Sequence, residues 1–343
     1  MRRNRLAGIL IALSLQALAA GLVMRHVPTE SPLGPLARIL DSLAPGFLIA
    51  ALVLAGAVAL AGARWTGGAL AAATLAGAGF LWADHARLSL PRAPELAPDL
   101  RVLFMNMRQD NRAYADRAAT AILEADPDIV VIAEGAAMQP ALWRLRDAYD
   151  FVSPCPYEAC QIVVATKAQP ARFWRLSLNA VWPDRYAVVE LGLPSGGRVF
   201  VAASQLLKPW LSGLSEAELA RIKSQYDWLA GPVVAVGDFN AAPWSRSVTE
   251  LLDHTGFRGL RRPVGTWPAR AGAFGVPIDQ VFVHGGARVV SAEPFGTALS
   301  SNHRGLLVEI ALPRPPGGRD GAAQNRKSEI SAASRTVLGA PSS

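Results

Sequence analysis

Val233-Val234-Ala235-Val236-Gly237-Asp238-Phe239-Asn240-Ala241-Ala242-Pro243 is the stretch on which the fold turns. Four small apolar residues in succession read as a buried strand. The strand ends abruptly in a carboxylate, an aromatic ring and a carboxamide. Alternation along an extended chain would point Asp238 and Asn240 to the same side. An acid and an amide fixed there suit a bound water attacking phosphorus. Gly237 permits close backbone approach, and Pro243 stops the strand. Read alone, the run is equally compatible with an ordinary turn, because Asp and Asn favour turns.

Other strands end the same way. Leu100–Asn106 is apolar and ends in Asn106; Pro127–Glu134 is apolar and ends in Glu134. Asp279 stands at the start of the run Asp279-Gln280-Val281-Phe282-Val283. Ser300-Ser301-Asn302-His303-Arg304-Gly305 leads into a last strand, Leu306–Ile310. Read in order, Asn, Glu, Asp-x-Asn, Asp and His resemble the endonuclease/exonuclease/phosphatase superfamily with its DNase I-like fold. Gly237–Ser245 carries the most specific part of the resemblance, which covers about residues 98–312. It implies an α+β class, a four-layered α/β-β/α sandwich. The residues themselves agree, since strand-rich halves with flanking helices predict a sandwich covered by helices.

Composition divides the chain. Its 343 residues have a mean hydropathy of +0.23, high for a soluble protein, and the excess lies at the N-terminus. Three apolar runs, about 6–24, 44–63 and 65–83, are each long enough to cross a bilayer as a helix. They are rich in Ala, Gly and Leu, which lets helices approach closely. Arg2, Arg3 and Arg5 predict a cytoplasmic N-terminus and, after three crossings, an extracytoplasmic remainder at the plasma (inner) membrane. The expected organisation is therefore a membrane domain over 1–83, a proline-marked linker over 84–98, the globular domain over 99–312, and a disordered tail over 313–343. Cys155 and Cys160 are free to pair in an oxidising compartment, though spacing does not decide it.

The net charge of +7 is unevenly spread. Residues 1–93 hold 8 arginines against 3 acids. Residues 94–311 hold 21 basic residues against 22 acids. The globular domain thus lacks the bulk basic excess that grips a polynucleotide backbone. Arg258, Arg261 and Arg262 form a local cluster that reads as a solvated loop.

Within the globular domain, 114–125, 138–149 and 214–229 read as helices, the last with Ser215 as N-cap. Gln161–Thr166, Arg172–Leu178, Tyr186–Leu193 and Arg198–Ser204 read as strands, with a hairpin at 194–197.

The resemblance assigns roles. Glu134 and Asn106, with Asn302 as a further ligand, would hold Mg²⁺ or Mn²⁺, a hard cation that takes carboxylate and amide oxygens. Asp238 would orient or deprotonate the attacking water, and Asn240 would contact the phosphate. His303 would stabilise the phosphoryl group, supported by Asp279. Three positions depart from the pattern, among them Gln280, which stands where close relatives commonly show His. Asn302 stands where the family has an Asp that binds metal and holds the imidazole, and an amide does neither as well. Gln205 stands where the family has a His; it donates a hydrogen bond but carries no proton. The expected activity is metal-dependent hydrolysis of a phosphomonoester, phosphodiester or pyrophosphate. The expected partners are the lipid bilayer and a phosphorylated small molecule or lipid, with nucleic acid the weaker candidate. The rival readings are an extracellular nuclease and a degenerate, non-catalytic receptor for phosphate-bearing ligands.

Overall fold

The computed structural model describes residues 2–155, 160–193 and 197–314. Four helices come first: α1 (Arg2–Leu22), α2 (Gly34–Ser42), α3 (Ala44–Leu60) and α4 (Arg64–Arg87). Asn4–Leu22 and Arg64–Arg87 are each long and apolar enough to cross a membrane. Gly34–Ser42 and Ala44–Leu60 meet that test together, bent by 73° at the break. The connection 25–43, expected as a plain loop, therefore contains a helix of its own. Small residues allow the helices to pack: a Cβ on Gly67 would meet the Ala55 carbonyl oxygen at 2.7 Å, and one on Gly77 would meet Leu22 at 2.5 Å. Ser14 Oγ donates to Ala51 O (3.1 Å) across the α1–α3 contact.

The segment 84–98 is not a free linker in form. Asp84–Arg87 complete α4, and Ser89–Leu90 form β1, parallel to β10 (Gly259–Leu260). The Ala93 amide then donates to Val289 O. Arg261, expected on a solvated loop, instead donates to the carbonyls of Ala86 and Ser89 and ties this segment down.

Two sheets follow. One runs in the order β12 (Arg288–Phe295), β13 (Gly305–Ala311), β2 (Leu100–Asn106), β3 (Ile129–Ala133), β5 (Ile162–Thr166), β4 (Phe151–Val152). The other runs β11 (Asp279–His284), β9 (Val233–Asp238), β8 (Arg198–Gln205), β7 (Tyr186–Gly192), β6 (Arg172–Leu176). Alternation builds the core between them. Val102, Phe104, Val131, Val201, Ala203, Val234, Val236 and Val281 all lie in it. The opposite faces are covered by helices: α5 (Ala115–Ala125) and α6 (Leu142–Ala148) over the first sheet, α7 (Leu214–Asp227) and α8 (Arg246–Thr255) over the second. This is the four-layered α/β-β/α arrangement.

Local differences have local causes. Helix α7 begins at Leu214 after Gly213; the Ser215 hydroxyl donates back to Leu211 O, so Ser215 is not the cap. Glu218 turns inward, accepting from the Leu207 amide (2.7 Å) and from Asn179. The β7–β8 pairing is the expected hairpin, closed by Leu193 N to Gly197 O, although 194–196 fall outside the described residues. The tail expected to be disordered falls outside them from residue 315 onward.

Gly237 sits where β9 passes β8, and a Cβ there would stand 2.2 Å from Ser204 O. Gly237→Ala is expected to lower stability by about 1–3 kcal/mol through overpacking against backbone. Thermal unfolding of the full-length protein in detergent checks it.

Candidate functional site

Strand phase explains why polar side chains gather at one end of the sandwich. Phe104, Ala203, Val236 and Val281 face the inter-sheet core. Asn106, Gln205, Asp238 and Asp279 lie two residues away on the same strands, so they face inward too. Register aligns them further: Gln205 pairs with Asp238, and Asp238 with Asp279. The four residues are buried at the open end of the core.

Glu134 arrives differently. Ala133 faces the core, so alternation alone would turn Glu134 away. A left-handed backbone (φ 54°) swings it back, a conformation that costs about 1–2 kcal/mol for a residue with a Cβ. Its carboxylate accepts from Asn106 Nδ2 (3.1 Å), Gln205 Nε2 (3.0 Å) and the Gln109 amide (2.6 Å). Asn106 Nδ2 also donates to Asp238 Oδ2 (3.1 Å) and so bridges the two sheets. Asn106 Oδ1 accepts from the Arg108 amide (2.9 Å).

Asn240 differs from the strand reading. The strand ends at Asp238, and Asn240 is left-handed (φ 50°). Its amide donates to Asp238 Oδ1 (3.0 Å) in a local turn. Its side chain donates to Leu206 O (2.8 Å). Asn240 therefore stands beside Asp238 by a turn and not by alternation.

His303 is buried, and its Nδ1 lies 2.9 Å from Asp279 Oδ2. Asp238, Asp279 and His303 offer ligand atoms within 4.8 Å of one another. Asn302 is exposed, held through its carbonyl by the Ala269 amide. The structure thus keeps Asn302 at the rim, and it is Asp279 that fixes the imidazole. An uncharged Asn302 therefore leaves the imidazole with a carboxylate partner. Burial works against the charged ring, but the Asp279 charge and hydrogen bond, with Asp238 and Glu134 behind them, outweigh it and hold His303 at about 9. That stabilising contribution is complete below the ordinary histidine value and is lost as pH rises through about 9. Burial first, then the neighbouring Asp279 charge, raises Asp238 to about 6.

Three contributors were given no role by the sequence. Ser301 Oγ donates to Asn106 O (2.7 Å) and accepts from the His303 amide (3.1 Å), locking the last loop onto the end of β2. Thr266 Oγ1 accepts from the Asp279 amide (3.1 Å). Arg185 is buried one residue before β7. Its burial disfavours the charge, while Glu218, Asp238 and Glu134 favour it; a single arginine opening an apolar strand was the available signal.

The N-terminal helices reach this site. Asp41 Oδ2 accepts from the Arg246 amide (2.6 Å), Ser42 Oγ from the Ala242 amide (3.2 Å), and Ser42 O from Trp244 Nε1 (3.0 Å). Helix α2 therefore holds the loop that follows Asn240. A cavity of about 240 Å³ lies between them, with Arg38 on one wall and Asn240 on the other.

The donor set fits a hard cation. Gln205 Oε1 is buried with no hydrogen-bond partner, on the amide whose Nε2 donates to the Glu134 carboxylate. A bare amide oxygen on a group already bonded to a carboxylate is ligand chemistry that Mg²⁺ takes.

Residues 103–303 match the Endonuclease/Exonuclease/phosphatase family, well over half of the chain. The chain belongs to this family. No curated protein sequence matches it. Among solved structures, D. rerio TDP2 complexed with single-strand DNA product aligns with a TM-score of 0.53 at 13% identity, covering 62% of this chain and 98% of that one. An endonuclease/exonuclease/phosphatase family protein from Bacteroides thetaiotaomicron aligns with a TM-score of 0.50 at 13% identity, covering 64% and 100%. A family protein from Leptotrichia buccalis gives 0.50 at 13%, covering 62% and 100%. At such identities the likeness fixes the DNase I-like fold and leaves the substrate open. Family enzymes are typically hydrolases of phosphoester bonds that use divalent metals.

Asp279→Asn is expected to drop the His303 pKa from about 9 by at least roughly one unit, since an opposite charge is removed. Histidine NMR titration of the full-length protein reads this without any assay of turnover.

Proposed function

We propose that this family member is a membrane-anchored, divalent-metal-dependent phosphoesterase acting on a phosphomonoester, phosphodiester or pyrophosphate. The observation that carries the reading is the gathering of six side chains at one mouth of the sandwich: Glu134, Asn106, Gln205 and Asp238 joined by hydrogen bonds, and the Asp279–His303 pair whose ligand atoms lie within 4.8 Å of Asp238.

Glu134 would hold Mg²⁺ or Mn²⁺, and the amides of Asn106 and Gln205, whose NH2 groups donate to its carboxylate here, would have to turn their oxygens toward the cation. The cation supplies neutralisation of the phosphate oxygens and of the leaving oxygen. Asp238 takes the proton of the attacking water; a carboxylate near pKa 6 is a competent base at neutral pH. Asn240 fixes the outer side of the phosphate. His303, held at Nδ1 by Asp279, presents its other nitrogen as a charged donor to the phosphoryl group. Arg185 offsets the acids from behind. In this reading Asn302 contributes weakly at the rim.

The helices up to residue 83 serve as the membrane domain and 99–312 as the catalytic domain. Cys155 and Cys160 are joined by a disulfide, which favours an oxidising, extracytoplasmic compartment and agrees with the arginine-marked N-terminus inside. The near-neutral charge of 94–311 argues for a small phosphorylated molecule or a lipid over a polynucleotide.

A panel of phosphomonoesters, phosphodiesters and pyrophosphates with Mg²⁺ and Mn²⁺, run on the full-length protein in detergent, tests the proposal. Asp238→Ala is expected to cut turnover by about 10²–10⁴-fold, the usual worth of a general base; retained turnover would place the chemistry elsewhere. Asn302→Asp is expected to raise turnover and to tighten metal dependence. A pH–rate profile is expected to rise as Asp238 ionises around 6 and to fall as His303 loses its proton around 9.

A further inference from the structure

A second cavity lies where the helices meet the catalytic domain. It has a volume of about 370 Å³, and its main walls are Leu48, Leu52, Leu75 and Leu81 from α3 and α4, with Trp244 and Pro263 from the catalytic domain. The one hydroxyl among its lining groups, on Thr74, is returned to Leu70 O (2.8 Å). The walls are otherwise hydrocarbon and ring surface until the domain end, where His85 and Arg261 stand.

Length and position identify an occupant. The groove follows α4 from Thr74 to His85; that span measures about 16 Å at 1.5 Å per residue. Half of a bilayer's hydrocarbon core is about 15 Å. The groove therefore matches one leaflet. Trp82 and Trp244 lie at its domain end, where aromatic side chains sit in a membrane interface. Trp244 is pinned there by Ser42 O (3.0 Å) and lies edge-on to His85.

The domain-side walls lead to the site along two chain segments. Trp244 follows Asn240 by four residues. Pro263 precedes Thr266 by three, and Thr266 holds the Asp279 amide. Arg261 lines this end, so a guanidinium stands where a lipid's polar end emerges.

The geometry points to a lipid-binding groove that seats the hydrocarbon chain of a lipid phosphoester and delivers its phosphate to the Asp238–His303 cluster. The inference rests on the phosphoesterase reading and names its substrate class. The membrane helices are then part of the substrate site as well as an anchor. Lipid reaches the groove sideways from the leaflet that adjoins the catalytic domain, without leaving the bilayer.

The test uses full-length protein in nanodiscs containing a phosphatidic acid with a diazirine near the end of one acyl chain. After irradiation, label is expected at the deep end of the groove, on Leu52, Thr74 and Leu75. Leu52→Trp and Leu75→Trp, at exposed wall positions, are each expected to reduce it at least five-fold. Leu13→Trp, on the outer face of α1, is expected to leave it unchanged. In parallel, Leu75→Trp is expected to lower kcat/KM about ten-fold for phosphatidic acid or a polyprenyl phosphate while leaving a soluble nitrophenyl phosphoester untouched. Label spread evenly over α1, or indifferent to both groove variants, overturns the groove. Label in the groove with lipid and soluble turnover unaffected, or soluble turnover alone, overturns the substrate assignment. If no phosphoester of any kind is hydrolysed, the phosphoesterase reading and the substrate assignment fall, and the labelling still decides whether a lipid chain occupies the groove.

Discussion

The register of three neighbouring strands is the constraint on which the rest depends. Gln205, Asp238 and Asp279 stand abreast because β8, β9 and β11 pair as they do. A shift of one residue in any of these strands would turn its polar end out to the helix face and its valines away from the core. The hydrophobic pattern that fills the sandwich therefore also aims the polar residues. Gly237 permits this register by letting the β9 backbone pass close to Ser204 O.

Burying that many polar groups is tolerable because they satisfy one another. Asn106 ties Glu134 to Asp238, Asp279 holds His303, and Ser301 binds the final loop to the end of β2. A buried network of this kind is costly when partly satisfied. Here the bare oxygen of Gln205 and the strained backbone of Glu134 mark where the network is shaped for something other than its own stability. Replacing a charged Asp by Asn302 does not unseat the imidazole, because the holding carboxylate comes from a different strand.

Contacts between the helices and the domain have a similar character. Asp41 and Ser42 bind backbone amides at the start of α8 and in the loop after Asn240, and Arg261 binds the carbonyls of Ala86 and Ser89 at the end of α4. These are hydrogen bonds to main chain, which position segments more than they attract surfaces. The loop beside the site is thus held from the side of the N-terminal helices.

Much of this was legible in the chain itself. Strand phase is a local property with a period of two, so apolar runs such as Val233–Val236 and Leu100–Met105 declared their strands and their polar ends. The helices of 1–87 declared themselves by length and apolarity, although the bend into α2 did not. Other features depend on neighbours distant in sequence, which no local pattern records. Glu134 and Asn240 reach the site through left-handed residues that break alternation, and Ser301, Thr266 and Arg185 act through contacts across sheets and loops. The groove against Trp244 also exists only once helices and domain are packed together. The sequence by itself determined which side chains could do the chemistry, because identity and strand phase are written locally. Tertiary structure alone decided which of them meet, which one holds the imidazole, and what surface leads to them, because those depend on register and packing between segments far apart along the chain.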